Sequence, residues 1–121
     1  MRIIYIILLL LFSLQLYADN GQVVILTKKG GIHSGIPFVP ADMPTLVNYD
    51  EEAEEIVIEA EGYSSYYYVE IVSDDTGLLM LDETISGTGG TIDVSSLSAD
   101  YYILTIITSN NNVFEGHFTI D

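Results

Sequence analysis

Residues 62–77 read GYSSYYYVEIVSDDTG, and the fold turns on how this stretch is read. Three consecutive tyrosines, Tyr66, Tyr67 and Tyr68, run into Val69, Glu70, Ile71 and Val72. Tyrosine, valine and isoleucine favour a pleated strand. On a strand, neighbouring side chains point to opposite faces, so the three rings cannot share one side. Glu70 marks the face turned to water. Tyr66, Tyr68 and Val72 lie on its side by alternation, and Tyr67, Val69 and Ile71 fall on the buried side. Asp74-Asp75-Thr76-Gly77 then closes the strand as a turn, with glycine free to take the left-handed position.

The same period of two continues in both directions, and no stretch after Asp19 shows the helical period. Gln22–Lys28 is expected as a first strand, Thr45–Tyr49 as a second, and residues 56–60 as a third beyond the charged turn Asp50–Glu55. Tyr66–Ser73 is the fourth, Leu78–Ile85 the fifth and Thr91–Val94 the sixth, the last two parted by Gly87-Thr88-Gly89-Gly90. Tyr101–Thr108 and Val113–Ile120 make the final hairpin around Ser109–Asn112. In the seventh strand Tyr102, Leu104 and Ile106 share one face, and Tyr101, Ile103, Thr105 and Ile107 the other. In the eighth, Phe114, Gly116, Phe118 and Ile120 oppose Glu115, His117 and Thr119. Residues 30–44 hold all three prolines and three of the ten glycines, and read as a loop. Seven or eight short strands at regular spacing imply an all-β, antiparallel β-sandwich or barrel.

The first 18 residues belong to something else. Met1-Arg2 precedes an apolar run, Ile3–Tyr17, which is 15 residues long and contains Ser13 and Gln15. That falls short of the roughly 20 residues a bilayer core needs. A basic start, a short apolar stretch and a small residue at Ala18 read as a secretory signal peptide over residues 1–18, with one domain over residues 19–121. This places the protein in the periplasm, at the cell surface or outside, with no membrane insertion after cleavage. The formal charge of the 121-residue chain is −15, with 3 Lys and Arg against 18 Asp and Glu. Such a surface repels nucleic acid and anionic membranes. Cysteine is absent, which excludes disulfides and thiolate metal sites.

No residue set has the spacing of a catalytic site. His33 and His117 are the only histidines, and no nucleophile-elbow signature accompanies Ser34 beside His33. Acids cluster in turns, with Asp50 and Glu51 in one and Asp74 and Asp75 in another. Turn carboxylates can bind calcium, but the ligand spacing of a known calcium loop is missing. No other cofactor is implied. The tyrosines offer more. Tyr66 and Tyr68, two residues apart, place their rings about 7 Å apart along the strand. That suits stacking on a sugar ring or on a flat protein surface. Ordinary cross-strand aromatic packing on an exposed sheet explains the same rings without a ligand. Ile103 and Ile107, on the less polar outer face of the seventh strand, are the other contact candidates.

Residues 69–106 carry VEIVSDDTGLLML and then TIDVSSLSADYYILTI. This resembles bacterial β-sandwich domains built as strand, Asp/Gly turn, strand, and I-D-L-S-x-L-P-x-G-x-Y-x-L-x-I. Ser98 and Asp100 stand where that pattern has proline and glycine. The chain is similar to a family of small secreted Bacteroidota proteins of unknown function with an immunoglobulin-like fold. More distantly it resembles the C-terminal sorting domain of the type IX secretion pathway. The first resemblance implies an Ig-like sandwich and places Tyr102 at its tyrosine corner. The functional expectation is a non-enzymatic interaction module for a protein or a glycan. A self-associating surface protein, and a secreted protease inhibitor acting through the apolar outer face near Ile103 and Ile107 or through the loop 30–44, are the alternatives.

Overall fold

Alternating burial builds the core. Tyr67, Val69 and Ile71 are buried on one strand, Tyr102, Leu104 and Ile106 on the next, and Phe114 and Phe118 on a third. The structure is a computed structural model that describes residues 21–29 and 40–121. The proposed signal segment, His33 and most of the proline loop therefore lie outside the described residues. The elements are β1 (Gly21–Val23), β2 (Thr27–Lys29), β3 (Leu46–Asp50), β4 (Glu55–Glu59), β5 (Tyr66–Ser73), β6 (Leu79–Ser86), β7 (Gly89–Asp93), β8 (Asp100–Thr108) and β9 (Val113–Ile120). There is no helix among the described residues.

Hydrogen bonding runs in the order β1-β3-β4-β7-β6-β5-β8-β9-β2, all antiparallel. β6 and β7 meet at one residue pair, Ser86 with Gly89. The sheet folds over at that corner into two layers, β1-β3-β4-β7 and β6-β5-β8-β9-β2. Their inner faces share one apolar cluster. Tyr49 on β3 and Phe118 on β9 meet across it with ring centroids 5.5 Å apart. Burial of each such side chain stabilises the fold by about 1.5–3 kcal/mol. Tyr102 also stacks on Phe118, with ring centroids 5.4 Å apart. Its hydroxyl donates to the Ser98 carbonyl at 2.5 Å, so the tyrosine corner is formed.

The strand count is nine because the expected first strand, Gln22–Lys28, is two. β1 pairs with β3 in the smaller layer and β2 with β9 in the larger. Val24, Ile25 and Leu26 cross between the layers, held by Val24 N–H donating to Val47 O at 2.9 Å and by burial of the Val24 side chain. The crossing passes over β9 at Gly116, where a Cβ would lie 2.5 Å from Val24 Cγ1. A glycine is required there by contact, not by its own backbone angle. The second difference is that the Gly-rich stretch does not break the chain for long. Gly89 and Gly90 already belong to β7, because Gly89 (φ +113°) lets the backbone approach Ile58 O, which a Cβ would meet at 2.2 Å.

Candidate binding face

The outward face of β6-β5-β8-β9-β2 brings the sequence candidates together in rows. Pairing sets Thr84, Tyr68, Ile107, Val113 and Lys29 abreast. One step along lie Asp82, Glu70, Thr105, Glu115 and Thr27. The next row holds Leu79, Val72, Ile103 and His117. Ile103 and Ile107 are thus neighbours of Val72 and Tyr68, with a carboxylate-bearing row between them. All four candidates share the outward face, as alternation requires. Ile103, Ile107 and Tyr68 are half-buried by these neighbours, while Tyr66 is 46% exposed.

The two tyrosines differ chemically. The Tyr68 hydroxyl donates to Asp82 Oδ2 at 2.7 Å. That hydrogen bond, with partial burial and the charges of Asp82 and Glu70, pushes the Tyr68 phenol up to about 12. The ring is thereby anchored in one orientation. Across the same face the Glu115 carboxylate forms an ion pair with Lys29 Nζ at 3.4 Å and lies 3.6 Å from His117 Nε2.

Of the acids considered for calcium, Asp50 has a role in its own turn. Asp50 Oδ1 accepts the N–H groups of Glu52 and Ala53, at 3.1 Å each, and so shapes the β3–β4 turn. Asp74 and Asp75 are exposed in the separate β5–β6 turn, and Glu51 is exposed beside Asp50. Among the described residues no group of three or more His, Asp or Glu side chains is placed to hold a metal ion.

One polar centre was not legible beforehand. Asp42, only 4% exposed, accepts from Thr108 Oγ1 at 2.6 Å, Asn110 Nδ2 at 3.0 Å, and Asn112 Nδ2 at 3.0 Å to each oxygen. Burial alone would push this carboxyl up. The hydrogen bonds from Thr108, Asn112 and Asn110 outweigh it, and the group sits below its ordinary value. The Asp42 carbonyl also accepts from the buried Tyr67 hydroxyl at 2.8 Å. Asp42 therefore latches the chain after residue 40 to the β8–β9 hairpin. A shallow cleft of about 300 Å³ opens beside it, lined by Pro40, Ala41, Tyr63 and Asn110 among others. A single acid among prolines facing an Asn-rich hairpin was the available signal, but only topology joins positions so far apart in sequence.

No model of a known protein family matches the chain, and no curated protein does. Among solved structures it is similar to a DUF3244 family protein with an immunoglobulin-like β-sandwich fold from Bacteroides vulgatus ATCC 8482. The TM-score is 0.64 at 16% identity, covering 84% of this chain and 99% of that one. At that identity the likeness establishes the class of fold, an Ig-like antiparallel β-sandwich. It agrees with the first resemblance in the sequence and lends no support to the sorting-domain one.

Proposed function

We propose that the chain is an exported, non-enzymatic interaction module that meets a protein or glycan partner on the outward face of its larger sheet. One observation carries the reading. Tyr66 and Tyr68 stand two residues apart on β5, next to Ile107, on a face whose rings the core does not use. Tyr68 is fixed by Asp82, so a partner that stacks there loses little ring freedom on binding. The carboxylates of Asp50 and Asp42 are occupied in holding the β3–β4 turn and the hairpin latch. No cofactor enters this reading.

The test is calorimetric melting of the protein against a panel of glycans, alongside capture of secreted proteins on immobilised chain. A partner that binds the folded state raises the melting temperature by mass action. The reading expects that rise to be lost in Tyr66→Ala and in Ile107→Ser. A partner bound equally well by both variants would move the site off this face and sink the proposal.

A further inference from the structure

We infer that the open edge of β6 is a strand-addition site for an extended basic segment of another protein, one that carries two adjacent cationic residues between apolar ones. The pairing pattern shows what this edge offers. Gly87 N–H donates to Ser65 O at 3.2 Å, one step beyond the pair Tyr66 and Ser86. Bonded pairs alternate along an antiparallel ladder. Ile85, Glu83 and Leu81 therefore direct their backbone groups to β5, while Ser86, Thr84 and Asp82 turn theirs away from it. Ser86 meets β7 at Gly89, and there the pairing of β6 with β7 ends. Among the described residues no strand lies against Thr84 and Asp82 on that side. Each presents an N–H and a C=O, the groups through which an extended peptide joins a sheet.

The side chains along the edge decide which peptide fits. Leu81, Glu83 and Ile85 lie opposite the buried Ile71, Val69 and Tyr67, on the inward side. Leu81 and Ile85 pack partly against the core, so apolar side chains of an added strand would cover them. Between them Glu83 is exposed, and Asp82, also exposed, lies opposite Glu70 on the outward side. Two adjacent cations in an added strand, one on each side, meet these two carboxylates. At the start of the strand Leu78, Leu79 and Met80 are 62%, 53% and 44% exposed, an apolar extension of the same edge. Met80 stands where the register slips by one residue, Ile71 facing Leu81 and Val72 facing Leu79, so regular pairing is confined to residues 81–85.

The same features turn away a second copy. Two β6 edges side by side would set acids against acids, and a charge on the inward side of an edge guards against pairing with a like edge. A basic strand converts that repulsion into attraction, so affinity and exclusion come from the same two residues. The formal charge of −15 draws cationic segments toward the chain. At 0.15 M salt that pull fades beyond about 8 Å, which leaves the local match to decide.

The probe is the capped peptide Val-Thr-Lys-Arg-Val-Thr-Val, which in antiparallel addition sets its lysine opposite Glu83 and its arginine opposite Asp82. Amide hydrogen exchange of the full-length chain is followed with and without it at about 0.15 M salt. The expected result is slowed exchange at Asp82 and Thr84, which exchange fast in the free protein, while Glu83 and Ile85 are protected in both states. Glu83→Lys should weaken binding by about tenfold or more, equal to about 1.4 kcal/mol, and Glu83→Gln by less. Circular dichroism checks that both variants are folded. The same peptide N-methylated at its arginine and first threonine keeps its charge but loses the donors that face β6, and should not bind there. Unchanged exchange at Asp82 and Thr84, equal binding of the N-methylated peptide or of one with Glu-Glu for Lys-Arg, or indifference to Glu83→Lys would each overturn the inference. A mass that rises with concentration without peptide, together with protection of the same two amides, would assign the edge to a second copy and overturn it as well. Tyr66→Ala and Ile107→Ser leave this edge intact and should not alter peptide binding, so the edge and the proposed partner face fail independently.

Discussion

Asp42 and Tyr68 show two ways in which one side chain is fixed by its neighbours. Asp42 is a buried carboxylate satisfied by Thr108, Asn110 and Asn112, none of them charged. Replacing it with alanine leaves those donors without an acceptor, at about 1–3 kcal/mol for each that stays buried. Asp42→Ala is therefore expected to lower stability by about 2–3 kcal/mol, read as a fall in the urea midpoint. The pH dependence has a definite sign. The folded carboxyl lies below its ordinary value of 3.8, so its contribution is complete above that pH and is lost as pH falls through the folded-state value. The gap between wild type and Asp42→Asn should be full at neutral pH and shrink below pH 3.8. A gap that stays constant would mean the carboxylate is not what the hairpin holds. Tyr68 is exposed enough that Tyr68→Phe should cost little stability. Its signature is spectroscopic. Alkaline titration of tyrosine absorbance should show one phenol ionising near 12 that vanishes in Tyr68→Phe.

At the scale of elements, strand faces were readable because a period of two tolerates no slippage once one face is buried. Tyr67, Val69 and Ile71 against Tyr66, Tyr68 and Glu70 is the clearest instance, and Phe114, Gly116 and Phe118 against Glu115 and His117 another. What alternation does not encode is which sheet a strand joins. Residues 22–28 look like one β-rich run, yet the chain changes layers at Val24–Leu26, so that β1 pairs with β3 and β2 with β9. Gly116 is where this crossing becomes a packing requirement. Gly116→Val would drive a side chain into Val24 and Leu26, whose nearest atoms lie 2.5 and 3.1 Å from even a Cβ. Overpacking of this kind costs about 1–3 kcal/mol. Amide exchange should show the loss concentrated in β1 and β2, with β5 and β8 still protected. Uniform loss of protection would mean that the crossing is not a separate unit. The Asp42 latch was illegible for the same reason. Its acceptor and its donors are 66 to 70 residues apart, and no local pattern links them.

For the whole molecule, charge is the term that local structure leaves unbalanced. The chain carries 18 acids against 3 Lys and Arg, and among the described residues most of the acids are exposed or half-buried, in turns and along the strands. Self-repulsion of this kind destabilises the compact state and is screened by salt. Melting temperature should therefore rise from about 10 mM to about 0.15 M monovalent salt. A gain of 1 kcal/mol in a domain of this size is about 4–8 °C. The measurement belongs at protein concentrations low enough that the melting point no longer depends on concentration, which removes any contribution from association between copies. Calcium and sodium salts compared at equal ionic strength then separate two causes. Screening depends on ionic strength, so equal shifts follow if the acids act only as a distributed charge. A larger shift in micromolar-to-millimolar calcium would instead require ligands that converge, against the separate β3–β4 and β5–β6 turns. The expected outcome is equal shifts, because Asp50 is bound to its own turn and Asp74 and Asp75 lie in another.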